Sequence, residues 1–300
     1  LIAFGGELGL IKLLAGKPSG MSCTLTKAEF LKVYEYLLRT TPSDLSLNNR
    51  IPSNVSPLLL PAALIIRNML EYTGADKIYL PHASLSDGIV YNYCSLFAGY
   101  ELAVSPDDDI IKAARNIAKR YRTSKKHIEF VENTALEIYE VSEKLSGLKG
   151  RDRLLLQVSA ILHECGKFIH AAAHNEAAYG LVKNLEIIGL TREETDTIAL
   201  VVRLYPSENP YDDPHYRDLP PHRKVLVSKL TAMLRIADAL DSSHKQKIRK
   251  KTMTLMPDRL HISCEVSEDM SFEEWSFEHR SGLFEEVIGI KPQIRFRRKL

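Results

Sequence analysis

The sequence predicts a mixed α/β segment, then an all-helical segment, then a small α+β close. Three observations carry this reading. Short strand-like runs alternate with helix-like ones as far as residue 105. From Pro106 the apolar residues recur every three and four positions, the spacing of a helix face. After residue 250 a strand, turn and strand pattern returns. The predicted segments are therefore 1–105, 106–250 and 251–300.

In the first segment, Ile2–Phe4 reads as a short strand running into Gly5-Gly6, with a helix-compatible stretch after it. Thr26 opens a helix, with Glu29 three residues on as a capping box. Pro61 is placed at the start of an apolar helix reaching Tyr72, where its missing N–H costs nothing. Lys77–Leu80 is a strand and Ser86–Phe97 a helix. Strand and helix in alternation point to one layer of an α/β sandwich.

In the second segment, Asp107 or Asp108 caps a helix whose apolar face is Ile110, Ile111, Ala114, Ile117 and Tyr121. The next helix carries His127, Val131, Ala135 and Ile138 on one stripe. A third runs from Arg153 to Cys165 and stops at Gly166. Thr191 with Glu194 forms a second capping box, before a helix over Ile198–Leu204. A loop rich in proline (Pro206, Pro210, Pro214, Pro220) precedes a long helix from His222 to Ser242. The third segment reads as a hairpin of Thr252–Met256 and Leu260–Val266, a helix over Phe272–Val287 and a strand over Gln293–Phe296.

A chain 45% hydrophobic and 26% charged is globular in composition, and 300 residues allow two domains. Four scattered cysteines with no CxxC pair point to a reducing cytoplasm. The longest apolar stretch, Leu58–Ile66, is too short to span a bilayer, so no membrane is expected. The chain opens at Leu1 directly on an apolar run, with no recognisable signal peptide, which reads as a cut in mid-fold. A net charge of +2 hides seven basic residues between Lys112 and Lys126, with no acid among them. Lys112, Arg115, Lys119, Lys125 and Lys126 of that run are candidates to guide a polyanion, solvated helix faces being the alternative. A second basic cluster, Lys245–Lys251, follows.

The chemistry-bearing residues are few. His163-Glu164 closes an apolar helix, and an imidazole beside a carboxylate is half of a divalent metal site. His127 lies on the core-facing stripe of its own helix, and Asp238 interrupts an otherwise apolar one. A buried aspartate is costly unless paired or metal-bound. Two readings stay open for these residues: a metal site, or core polar groups that satisfy one another.

The order His127, His163-Glu164, Asp238 resembles the HD superfamily, whose signature is His, His-Asp, Asp on a divalent metal. Longer stretches are more specific: Leu162–Ile169, His174–Tyr179, Ile187–Thr191, Leu234–His244 and Phe284–Gly289. They look like the HD-like domain and tail of the exopolyphosphatase and guanosine-pentaphosphate phosphohydrolase family. Phe4-Gly5-Gly6, Pro61–Ile66 and Leu85–Ile89 resemble the same family's actin-like (ribonuclease H-like) ATPase fold, in the same order. The chain departs from the pattern at Glu164, where Asp is frequent, at Glu176, where a second histidine is frequent, and at Tyr205-Pro206.

The resemblance implies an α/β remnant of the actin-like fold followed by an all-α HD-like domain and a small α+β end. It implies a cytoplasmic hydrolase releasing orthophosphate from inorganic polyphosphate or guanosine pentaphosphate, with a magnesium-like divalent cation. Gly5 and Gly6 would contact phosphate; His127, His163, Glu164 and Asp238 would form the metal cluster. The catalytic base is not assigned, and the catalytic lobe is expected upstream of Leu1. A homodimer is implied, and no specific nucleic acid. Two other functions remain open: a metal-dependent HD nucleotide phosphohydrolase, and a regulator that binds a phosphorylated nucleotide without cleaving it.

Overall fold

The computed structural model describes residues 1–18, 22–81, 85–98 and 105–298. Its contacts divide the chain into two units, Leu1–Ala103 and Val104–Leu300.

The first unit holds five helices among the described residues. These are α1 (Gly6–Leu14), α2 (Lys27–Arg39), α3 (Pro42–Asn49), α4 (Ser56–Thr73) and α5 (Leu85–Ala98). Its strands β1 (Cys23–Thr26) and β2 (Lys77–Leu80) pair antiparallel, with Leu25 opposite Ile78. Both residues are fully buried, beside Phe30, Leu37, Leu59 and Leu70. The predicted first strand is reduced to one parallel bridge, Ile2 with Tyr79. Thr26 caps α2 with Glu29 in a complete capping box. The expectation for Pro61 was wrong: α4 starts earlier, with Pro57 in its first turn and Pro61 inside. Pro61 there forfeits one backbone bond that the burial of Leu59, Ala63, Ile66 and Leu70 offsets. Strand β1 and helix α3 were not foreseen.

The second unit is mainly helical. Its long helices are α6 (Pro106–Arg120), α7 (Lys125–Ser146), α8 (Gly150–Leu162), α9 (His174–Lys183) and α10 (Arg192–Leu204). The short α11 (Pro214–Arg217) and the long α12 (Pro221–Ala239) follow. Every residue of α8 from Leu154 to Leu162 is buried, and α12 is buried almost throughout from Val227 to Ala239. A helix apolar on all sides belongs at the centre of its unit, and these two carry His163 and Asp238 at their ends. The remaining helices surround them. On α7 the predicted stripe of His127, Val131, Ala135 and Ile138 is buried.

Two end assignments change. Ser105, not an aspartate, caps α6: its hydroxyl accepts from the Asp107 amide at 3.3 Å. Asp107 instead receives Arg151 Nη1 at 2.8 Å, and the same guanidinium reaches Glu194 at 2.6 Å, tying α6, α8 and α10 together. Helix α8 ends at Leu162, before Gly166, which sits in a 3₁₀ turn over Cys165–Phe168. The proline-rich stretch is not all loop, since Pro210–Asp212 forms a 3₁₀ turn and Pro214 opens α11.

The C-terminal residues form β3 (Ile248–Leu255), β4 (Arg259–Val266), α13 (Ser271–Ile288) and β5 (Lys291–Arg298). β3 and β4 make the predicted hairpin, and β5 joins β4 in parallel after the crossover through α13. The alternation of β4 buries Leu260, Ile262, Cys264 and Val266 in the same core as the helices. Helix α13 packs on α12, which brings a C-terminal residue to the site described below. Among the described residues no helix is long and apolar enough to cross a membrane.

All four cysteines are free, and they divide by burial. Burial pushes the Cys165 and Cys264 thiols up to about 12, so neither holds a thiolate at neutral pH. Alkylation of the native protein at pH 8 is expected to modify Cys23 and Cys94 and to spare the other two. Modification of Cys165 before unfolding would show that its surroundings open.

Candidate metal and phosphate site

His127, the third residue of α7, points into the unit and is fully buried. His163 follows the last turn of α8, and Glu164 leads into the 3₁₀ turn. Asp238 lies in the last turn of α12. These four side chains converge. His127 Nε2 is 3.3 Å from His163 Nε2, 3.3 Å from Asp238 Oδ1 and 3.7 Å from Glu164 Oε1. His163 Nε2 is 3.6 Å from Asp238 Oδ1.

Their hydrogen bonds decide what the atoms at the centre can do. His163 Nδ1 donates to the Ala160 carbonyl at 2.7 Å, and His127 Nδ1 donates to Asp241 Oδ2 at 2.8 Å. With a proton fixed on each Nδ1, both Nε2 atoms turn a lone pair toward each other and toward Asp238 Oδ1. Three acceptors face one another and require a proton or a cation between them. Asp241 is itself fixed by Gln246, whose backbone and side-chain nitrogens each donate to it at 2.8 Å. This outer arrangement is the kind that orients imidazoles as metal ligands.

The spacing fits a metal. A tetrahedral ion with ligands about 2.0 Å away sets them about 3.3 Å apart, against the 3.3, 3.3 and 3.6 Å found here. His127, His163 and Asp238 would hold the ion, with Glu164 beside them. Two cations already balance the carboxylates from behind: Lys167 pairs with Glu164, and Arg280 of α13 pairs with Asp238.

The same charges set the titration of His127. Burial opposes its protonation, but the hydrogen bonds to Asp238 and Asp241 and the charge of Glu164 outweigh it, lifting the pKa from 6.5 to about 9. Burial likewise opposes the charge on Asp238, yet His127, His163 and Arg280 hold its carboxyl well below the usual range. For a raised imidazole the stabilising charge is complete below 6.5 and lost as pH rises through about 9. The His127 Hε1 resonance in chelator-treated protein is therefore expected to titrate near pH 9. A midpoint at or below 6.5 would show that the carboxylates do not hold the proton.

Three contributors were not singled out from the sequence. Asp241 and His244 sit three and six residues beyond Asp238, a spacing that could have marked them. The His244 ring stacks on His127, with centroids 3.7 Å apart, and its Nε2 is 3.4 Å from Glu164 Oε1. Arg280 had no local signal, lying 42 residues beyond Asp238.

The predicted phosphate and polyanion residues are not among these side chains. Gly5 precedes α1 with φ of 148°, a conformation that favours glycine, and no side chain caps the helix there. Gly5 and Gly6 line a cavity of about 1300 Å³ whose other walls include Ile2, Phe4, Leu85 and Tyr91. Of the basic run, Arg115 binds buried Glu132 at 2.9 Å, and Gln157 donates to the same oxygen at 2.7 Å. That arginine is part of the framework between α6, α7 and α8. Lys112 and Lys125 meet Asp109 and Glu129 at 3.4 and 3.6 Å, while Lys119 and Lys126 are exposed.

Known proteins give the context of this geometry. The chain is 24% identical over 149 residues to a guanosine-5'-triphosphate,3'-diphosphate pyrophosphatase of Photobacterium profundum. It is 26% identical over 148 residues to the protein of the same name from Aeromonas hydrophila. Those stretches cover 49% and 48% of this chain but only 29% and 28% of the relatives, so the chain spans less than a third of their length. The family profile for Ppx/GppA phosphatase, domain III, matches residues 111–280, which run from α6 through Arg280 and include the whole histidine and carboxylate cluster. With more than half its length matched, the chain belongs to the Ppx/GppA phosphatase family.

Proposed function

We propose that this chain is part of a hydrolase that releases orthophosphate from inorganic polyphosphate or guanosine pentaphosphate. The domain III match and the relatives named as pyrophosphatases support that reading. We further propose that residues 1–105 are a trailing portion of an actin-like lobe, with Gly5 and Gly6 at phosphate. The activated water and its general base then lie outside these residues, residues 106–250 are an HD-like domain, and 251–300 a small α+β segment. The protein works in the cytoplasm, as a homodimer.

The observation that carries a role for the second unit is the facing of His127 Nε2, His163 Nε2 and Asp238 Oδ1. Two imidazoles and one carboxylate suit a transition ion such as zinc, manganese or iron better than magnesium. Magnesium in this scheme belongs with the phosphoryl group, whose developing charge a divalent ion offsets.

The same cluster favours a second reading, in which the helical unit is itself a metal-dependent nucleotide phosphohydrolase. Phosphate release separates the two. Residues 1–300 are expected to release none above background from either substrate, because aligned water and phosphoryl group need both lobes and an ångström of misplacement costs about a hundredfold. The full-length protein is expected to release it steadily. Phosphate release by residues 1–300 that Glu164→Ala abolishes would move catalysis into the helical unit.

A further inference from the structure

A second, smaller cavity lies against the cluster. Its volume is about 280 Å³, and Arg122, Ser124, Glu164, Lys167, Phe168 and His244 line it. Glu164 and His244 belong to both the cavity wall and the histidine cluster, so the cavity opens on the cluster itself.

Its charge is positive. Lys167 pairs with Glu164, the acid of the lining, and its Nζ is 3.4 Å from His244 Nε2. Arg122 is different: its guanidinium lies over the Phe168 ring at 5.9 Å, and no carboxylate of the described residues holds it. A guanidinium offers five donors in a planar fork that matches phosphate oxygens. Phe168 in turn meets Tyr121 edge to face at 5.9 Å, which gives the cavity a firm wall.

The backbone at this place is unusual. Arg122 has φ of 51° and His244 φ of 57°, and both line the cavity; Gln246, at 49°, holds Asp241 behind it. Left-handed residues other than glycine cost energy and collect where a site needs a set geometry. Of four such residues described, three surround this one place. The Ser124 side chain makes no cap bond to α7, which leaves its hydroxyl to the cavity.

We propose that this cavity binds a phosphoryl group, with Arg122, Lys167 and Ser124 as its contacts. A space of this size is at the lower edge of the roughly 300–1000 Å³ usual for ligand sites. It therefore takes the end of a polyphosphorylated molecule and leaves the remainder outside. The ligand's identity rests on the phosphohydrolase reading; the cavity's charge and shape do not. This places a phosphoryl site on the helical unit, separate from any at Gly5-Gly6.

The test is calorimetric titration of residues 1–300 with tripolyphosphate, and separately with guanosine pentaphosphate. Arg122→Gln is expected to weaken binding about tenfold, the worth of a charge-assisted contact. Lys167→Gln should do the same, but it also frees Glu164; Arg122, which holds no ion pair, decides the matter. Lys144→Gln, at an exposed position in the last turn of α7, should leave the affinity within about twofold. If Arg122→Gln and Lys144→Gln weaken binding equally, the ligand sees only surface charge and the proposal fails. It fails also if neither compound binds at millimolar concentration. Tighter binding of tripolyphosphate supports the site with an inorganic chain as ligand, and tighter binding of the nucleotide supports it with a nucleotide. Loss of hydrolysis in the full-length protein with binding intact would fault the functional reading and spare the cavity.

Discussion

Gly166→Ala is expected to cost the second unit about 3 kcal/mol or more, the upper range for overpacking. A Cβ on Gly166 would lie 1.8 Å from the His174 carbonyl oxygen and 2.5 Å from the Ala178 amide nitrogen. Both are backbone atoms, so no rotamer change relieves the contact; α9 or the 3₁₀ turn must move. The turn carries Lys167, and Glu164 leads into it, so the displacement should reach the cluster as well. For a unit of this size a loss of that order lowers Tm by roughly 6–12 °C. Gly180→Ala is the contrast. Gly180 is exposed in the middle of α9 and a Cβ there meets nothing within 4 Å, so alanine should stabilise by about 0.5–1 kcal/mol. Equal melting of Gly166→Ala and the parent protein would mean that α9 does not press on the turn.

That glycine also marks where the sequence stops being readable. Gly166 after an apolar helix has the form of a helix end, and pattern alone cannot separate a left-handed cap from a point of close approach. The distinction depends on α9, which arrives from the other side of the His170–Ala173 connection. Features set within four residues were legible: the boxes at Thr26 and Thr191, the buried stripe of α7 and the alternation of β4. Starts of helices were less so, because Ser105 and Pro57 compete with Asp107 and Pro61 for the same roles. In the site, polar residues on apolar helices were visible because burial without a partner is costly. Their partners Asp241 and Gln246 were within reach of a local reading; Arg280 was not. Its guanidinium meets Asp238 only because the crossover through α13 packs on α12, a consequence of the β4 and β5 pairing.

Asp238 is the residue on which the two halves of the site turn, and it is expected to show the largest loss on truncation. Its Oδ1 faces His127 and His163, and its Oδ2 accepts from Arg280. Asp238→Ala removes one partner from a largely buried ion pair and leaves the guanidinium uncompensated, a change that typically costs about 3–5 kcal/mol. Arg280→Met should cost less, because protonated His127 still balances the carboxylate. The more telling comparison adds a divalent ion. With Arg280 gone, a cation between His127, His163 and Asp238 takes over the compensation of Asp238, so manganese should raise the Tm of Arg280→Met more than that of the parent. A ligand at free concentration L that binds only the folded state stabilises by RT ln(1 + L/Kd), so at a fixed ion concentration tighter binding appears directly as a larger shift. Asp238→Ala, lacking the anionic ligand, should show almost none. The same shift in parent and Arg280→Met would mean that the ion does not sit at Asp238. The histidine cluster would then be a set of core polar groups satisfied by one shared proton.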